Sequence, residues 1–250
     1  MRMRIVLATT NPGKVGELED LLKDAGLTGV EILSLADFPG LPVVEETGKT
    51  FAQNALLKAR GAWLGTGLPA LADDSGLEID ALRGEPGVRS ARFAGEAHDD
   101  EANITKVLSL MAGVPTDQRG ARFQCALALV GARGLASVAR GAQSQSRGME
   151  SDTRRSESPE PVLVMGRVEG VIATEKKGDR GFGYDPIFYL PERNLTMAQL
   201  LPQEKNTISH RGQAFKKMLP ILCAYAGQLS SSSRSPSPES LESLPIINED

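Results

Sequence analysis

A chain of 250 residues, 40% hydrophobic and 24% charged, has the length and apolar content for a substantial core. Two cysteines exclude a disulfide framework and a CxxC metal site, and a net charge of −4 argues against a dedicated nucleic-acid binder. Arg2 and Arg4 precede only the apolar run Ile5 to Ala8, too short for a signal peptide or a membrane span, so a cytoplasmic protein is expected.

Arg4 to Ala8 predicts a first buried strand. It runs into Thr9-Thr10-Asn11-Pro12-Gly13-Lys14 and then a helix from Val15 to about Ala25, with Val15, Leu18, Leu21 and Leu22 on its buried stripe. A strand, a turn of small residues and a helix N-terminus expose free backbone N–H groups to an anion, and Lys14 adds a charge. The P-loop pattern GxxxxGK[ST] is not met, because Val15 follows the lysine. A plain turn between strand and helix fits the bare pattern equally well.

A second strand, Val30 to Leu35, leads through a Pro- and Gly-rich loop to Glu45-Glu46-Thr47-Gly48. The next helix is expected from Phe51 to about Leu64, with Thr50 and Gln53 at capping-box spacing. Lys58 and Arg60 lie off its apolar stripe, where a solvated face is the ordinary reading.

Leu68 to Ala72 reads as a buried strand ending at two adjacent carboxylates, Asp73 and Asp74, followed by Ser75 and Gly76. Neighbouring acids at a strand end suit a Mg²⁺ ion with phosphate oxygens; an Asx turn closing the strand is the ordinary alternative. Leu77 to Leu82 predicts another strand and Gly84 to Gly95 an irregular loop. Asp99 or Asp100 then caps a helix through Met111, beside a surface His98.

Arg122 to Val130 and Val162 to Ala173 are β-like and read as sheet neighbours, with Cys125 in the first as core packing. Between them, Gly131 to Pro161 is rich in Ser, Gly, Gln and Arg without apolar periodicity, which predicts a disordered insertion whose arginines could attract acidic partners. The Ser- and Pro-rich tail Ser230 to Asp250 is likewise expected to carry no structure. One large domain or two lobes over residues 1–229 is therefore expected.

The last third carries sharper signals. Gly178 to Phe188, GDRGFGYDPIF, places glycines around Phe182, Gly183, Tyr184 and Asp185, so the backbone can approach a flat ligand on which Phe182 or Tyr184 stacks. Thr196 and Gln199 repeat capping-box spacing. Ser209 is expected to cap a final helix that contains Cys223 as core and Pro220 as a kink. His210 and Arg211 in its first turn oppose the helix dipole unless a ligand uses them.

TTNPGK, EETGKTFAQNALLKA, ADDSG, GFGYDPIF and SHR, in this order, closely resemble the inosine/xanthosine triphosphate pyrophosphatase family, over roughly Arg4 to Gly227 apart from the insertion. The resemblance implies an α/β fold, an elongated mixed sheet with flanking helices in two lobes around a nucleotide cleft, usually as a homodimer. It implies Mg²⁺ on Glu45 and Asp74, with Asp74 also accepting the proton of the attacking water. Thr9 to Lys14 would grip the triphosphate, Ser75 and Lys58 would contact phosphates, and Phe182 to Asp185, Lys205, His210 and Arg211 would hold base and sugar. Two departures stand out: Gln53 replaces a frequent Glu, and the insertion exceeds the usual hairpin. The Maf-like pyrophosphatases offer a second enzymatic reading but lack the combined GFGYDPIF and SHR blocks. A nucleotide-sensing module would leave Asp73 and Asp74 without a task.

Overall fold

The computed structural model describes residues 3–27, 29–132 and 160–232. All but the ends of the expected insertion, and the tail beyond Ser232, lie outside the described residues. The strands are β1 (Met3–Leu7), β2 (Val30–Ser34), β3 (Ala70–Ile79), β4 (Gly120–Val130), β5 (Val162–Ile172), β6 (Phe188–Leu190) and β7 (Leu195–Thr196). The helices are α1 (Pro12–Asp24), α2 (Phe51–Thr66), α3 (Asp100–Leu110), α4 (Pro202–Ile208) and α5 (His210–Ser232).

The seven strands form one sheet in the order β2-β1-β3-β4-β5-β6-β7. The first three are parallel and the remainder antiparallel, which matches the expected mixed sheet. Three long strands, β3, β4 and β5, span both lobes, and each lobe has its own core. In one, Ile5, Leu7, Leu71, Leu127 and Leu129 meet Leu18 and Leu22 of α1 and Phe215 and Met218 of α5. In the other, Leu77, Ile79, Phe123 and Ile172 pack on Ile104, Val107 and Phe188. Such clusters contribute roughly 1.5–3 kcal/mol per fully buried large apolar side chain.

On the opposite face α2 lies over Ala72, Ala126, Ala128 and Val130, presenting Phe51, Ala55 and Ala59. Alanine on both surfaces lets helix and sheet approach closely, which brings the off-stripe Lys58 down to the strand. The helix begins where Thr50 predicts, its Oγ1 accepting the Gln53 N–H at 3.2 Å. Gln53 Oε1 in turn accepts from Lys49 rather than from Thr50, so the expected box is displaced by one residue. Asp99 caps α3 by accepting from Ala102 N. Around Thr196 the expected box closes a short 3₁₀ turn, Met197–Gln199.

Three further expectations change. The head of the last helix is a separate element: α4 ends at Ile208, and Ser209 caps α5 by accepting from Gly212 N at 3.1 Å. Pro220 falls inside α5, which runs on past it to Ser232, three residues into the segment expected to be unstructured. Cys125 is buried but Cys223 is exposed, because it lies on the outer face of α5. No described helix is long and apolar enough to cross a membrane.

Candidate active site

The sequence places Asp73 and Asp74 at the end of a strand; they lie within one. Leu68 to Ala72 and Leu77 to Leu82 are not two strands, because β3 runs from Ala70 to Ile79 and pairs with β4 throughout, Asp73 opposite Leu127 and Asp74 opposite Ala126. Local turn propensity is overridden by partners distant in sequence. β1 pairs with β3 at Val6 opposite Ala70 and Leu7 opposite Leu71, so from Ala72 to Leu77 that edge of β3 is left to side chains, before Glu78 bridges Pro86. Alternation then sends the two carboxylates to opposite faces.

Asp73 receives Lys14 Nζ at 2.9 and 3.1 Å, Arg211 Nη2 at 3.3 Å and the Ser75 hydroxyl at 3.1 Å. Burial opposes its charge, yet Lys14, Arg211 and Lys58 together hold this carboxyl far below the usual range, so it is a fixed anion. Asp74 receives Lys58 Nζ at 2.8 Å, and the same ammonium donates to Glu46 at 2.9 Å. Here burial prevails: the Asp74 carboxyl is raised, with Lys58 pulling it down and Glu46 adding to the rise. Its Oδ2 is buried without a hydrogen-bond partner. Two adjacent acids are thus driven apart by their surroundings, one to a permanent anion and the other toward a base.

Lys14 comes from the first turn of α1, whose N-terminus is set by Asn11 Oδ1 accepting the Gly13 N–H at 2.8 Å. Lys58 comes from α2. Arg211 is brought in by the close packing of α5 on β5, where a methyl group at Gly166 would collide with the His210 carbonyl and the Ala214 amide. Glu17 of α1 holds the other end of the guanidinium at 2.8 Å.

Beyond Arg211 the site becomes aromatic. Phe182 is 50% exposed, with Lys205 Nζ 4.7 Å and the Arg211 guanidinium carbon 5.4 Å from its ring centre. Its loop is tied at three points. Asp185 accepts from Phe182 N at 2.9 Å and from Lys205 at 2.5 Å, Gly183 N donates to Asp100 at 2.7 Å, and Tyr184 OH donates to the Ser90 carbonyl at 2.7 Å. Gly181 is required here, with φ 78° and a Cβ position occupied by the Asp185 carboxylate. His210 is buried and stacked on Phe123, ring centres 4.8 Å apart. Burial, together with Arg211 and Lys205, lowers its pKa well below the ordinary value, so the imidazole is neutral.

These groups share one open cleft of about 1240 Å³, above the roughly 300–1,000 Å³ of small-molecule sites. Thr9, Thr10, Asn11, Lys14, Glu45, Lys58, Asp74, Ser75, Phe182, Gly183, Tyr184, Asp185, Lys205, His210 and Arg211 all line it. Gly13, in the first turn of α1, is not among its described lining residues. His98, expected at the surface, is exposed and also reaches the cleft wall. Glu46, Arg92 and Glu17 are given no role by the sequence, and Asp100 only that of a candidate helix cap. Glu46 stands beside a predicted ligand, but nothing periodic links a loop glutamate to a helix lysine twelve residues on.

A mixed sheet with a cleft that carries lysines over strand carboxylates at one end and a half-exposed aromatic ring between cations at the other defines an α/β protein built for a polyanion bearing a flat group. The Ham1 family model matches residues 5–221. A relative from Desulforamulus reducens named dITP/XTP pyrophosphatase is 50% identical over 220 residues, covering 88% of this chain and 96% of the relative. Another of that name, from Vibrio parahaemolyticus, is 45% identical, with 90% and 99% covered. A solved HAM1 protein structure from Coxiella burnetii superposes with a TM-score of 0.72 at 42% identity, covering 89% of this chain and 99% of that one. The chain belongs to the Ham1 family.

Proposed function

We propose that this protein hydrolyses non-canonical purine nucleoside triphosphates, dITP, XTP and ITP, to the monophosphate and pyrophosphate. The observation that carries the reading is Asp74: a buried carboxylate with a raised pKa and a free oxygen, backed by Lys58, in the cleft that also holds Lys14 and Phe182. Relatives covering nearly the whole chain bear the name of that activity.

Asp74 takes the proton of the attacking water. Burial raises its pKa, which makes it a stronger base than an ordinary carboxylate. Lys14 and Lys58 exchange their carboxylate partners for phosphate oxygens and stabilise charge gathering on the leaving pyrophosphate. Thr9, Thr10 and Asn11 offer hydroxyl, amide and backbone donors to the triphosphate, and Ser75 a further hydroxyl. Phe182 stacks on the base, held at its angle by Asp185 and Lys205. His210 and Arg211 supply donors to the 6-oxygen of hypoxanthine or xanthine, which adenine replaces with an amino group.

The donor set fits Mg²⁺. Asp74 Oδ2 is unsatisfied and Glu45 lines the same cleft. Mg²⁺ takes only one or two protein carboxylates beside phosphate and water, so it does not require the cluster of three ligating side chains that is missing among the described residues. When bound, it neutralises phosphate charge. We extend the same reading to a homodimer working in the cytoplasm, without nucleic-acid or membrane partners.

A substrate panel tests the proposal. With Mg²⁺, dITP and XTP should be turned over at least about a hundredfold faster than dATP, as expected of a site that reads hydrogen-bond polarity. Equal rates on dATP would refute the base assignment.

A further inference from the structure

Residues Gly87 to Ala94 belong to no motif above; where an irregular loop was expected, Gly87–Arg92 forms a 3₁₀ helix that is densely hydrogen-bonded. The Ser90 hydroxyl accepts the Leu77 N–H of β3 at 2.9 Å and donates to the Gly87 carbonyl at 2.6 Å, while the Ser90 carbonyl accepts from Tyr184. Asn103, 2% exposed on α3, donates to the Ala91 carbonyl at 3.2 Å and accepts the Ala94 N–H at 2.6 Å. Lys106 Nζ donates to the Phe93 carbonyl at 2.6 Å. Two buried side chains thus clamp the segment on either side of one residue, Arg92, which lines the cleft with its side chain 30% exposed.

Arg92 makes the longest ion pair of the cleft cations. Its Nη2 is 3.7 Å from Glu46 Oε2, beyond hydrogen-bonding range, whereas Lys14, Lys58, Lys205 and Arg211 each have a carboxylate oxygen within 2.9 Å. A guanidinium on a rigid backbone and loosely committed to protein is preorganised for an incoming anion, and its planar fork matches two phosphate oxygens. Its place in the ion-pair chain says which phosphates. Glu46 joins Arg92 to Lys58 and through it to Asp74, whereas the cations at Phe182 connect through Arg211 to Asp73.

We propose that Arg92 is a substrate-binding residue that grips the pyrophosphate half of the triphosphate, on the Asp74 side of the reacting phosphorus. The proposal rests on the pyrophosphatase reading but is tested without turnover. Titration calorimetry with inorganic pyrophosphate and Mg²⁺, and separately with inosine monophosphate, measures the two product halves on the full chain. Arg92→Ala should weaken pyrophosphate binding at least about tenfold and leave inosine monophosphate within about twofold, and Arg92→Lys should recover part of the loss. Arg92→Gln, which keeps an unbranched stem and a polar end but removes the charge, replaces the alanine variant if thermal melting shows the latter unfolded. Unchanged pyrophosphate affinity, equal weakening of both ligands, or weakening of inosine monophosphate alone overturns the proposal. A wild-type protein that binds pyrophosphate through Arg92 but releases none from dITP would refute the activity and leave this site standing.

Discussion

Asp74 works between opposing influences: burial and Glu46 raise its carboxyl, and a lysine 2.8 Å away restrains the rise. Asp74→Asn keeps the size and one acceptor but removes the proposed base and a negative charge, so turnover of dITP should fall at least about a hundredfold, roughly 2.7 kcal/mol in the barrier. Circular dichroism should show the fold retained. A well-folded Asp74→Asn protein with near wild-type turnover would refute Asp74 as the base. His210 makes a different prediction, concerning stability. The groups that act on it are Arg211, Lys205 and Lys14, which disfavour its charge, and Asp73, which favours it; burial is the largest influence and the net shift is downward. In the unfolded chain a histidine takes up its proton near pH 6.5, while in the fold it stays neutral to much lower pH. Stability from this residue is therefore complete above about pH 6.5 and is lost as pH falls from there toward the folded pKa. His210→Phe, which preserves the stack on Phe123, should flatten the melting temperature between about pH 6.5 and 5; an unchanged slope would show that other groups set it.

At the scale of elements, what is local was legible and what is distant was not. The starts of α2 and α3 follow from Thr50 and Asp99, because a capping side chain acts on backbone two or three residues away. The β4–β5 pairing follows from two β-like runs, Arg122 to Val130 and Val162 to Ala173, and the cleft residues of α1 and the Phe182 loop from motif order. Asp73 and Asp74 were misplaced because Asp, Ser and Gly favour turns locally, whereas the charges that keep them in a strand arrive from α1, α2 and α5. Arg119 went unnoticed for the same reason: it is 4% exposed and satisfied by carbonyls of Met111, Ile172 and Ala173, a role with no sequence signature. The β4–β5 connection gives a direct test. Leu129 stands opposite Val162, so the strand ends are neighbours and a short turn can join them. Replacing residues 133–159 with a Gly-containing turn, while keeping Gly131 and the buried Ala132, should leave melting temperature and dITP turnover within experimental scatter. A fall of more than about 5 °C would show that the segment packs on the fold.

In the whole molecule, three long strands join two cores, and the cleft opens where β1 stops short of β3. That single mismatch in strand length leaves an edge with two carboxylates, toward which helices from both faces direct cations. The fold thereby sets Asp74 with its lysine apart from the half-exposed ring of Phe182 and spans the two with one cleft. The central claim is that water, activated by Asp74, attacks the α-phosphorus and expels pyrophosphate. It is tested most directly by hydrolysing dITP in ¹⁸O-labelled water and following products by ³¹P NMR. The account predicts deoxyinosine monophosphate carrying the label and unlabelled pyrophosphate as the first products; orthophosphate with the diphosphate, or label in the pyrophosphate, would contradict it.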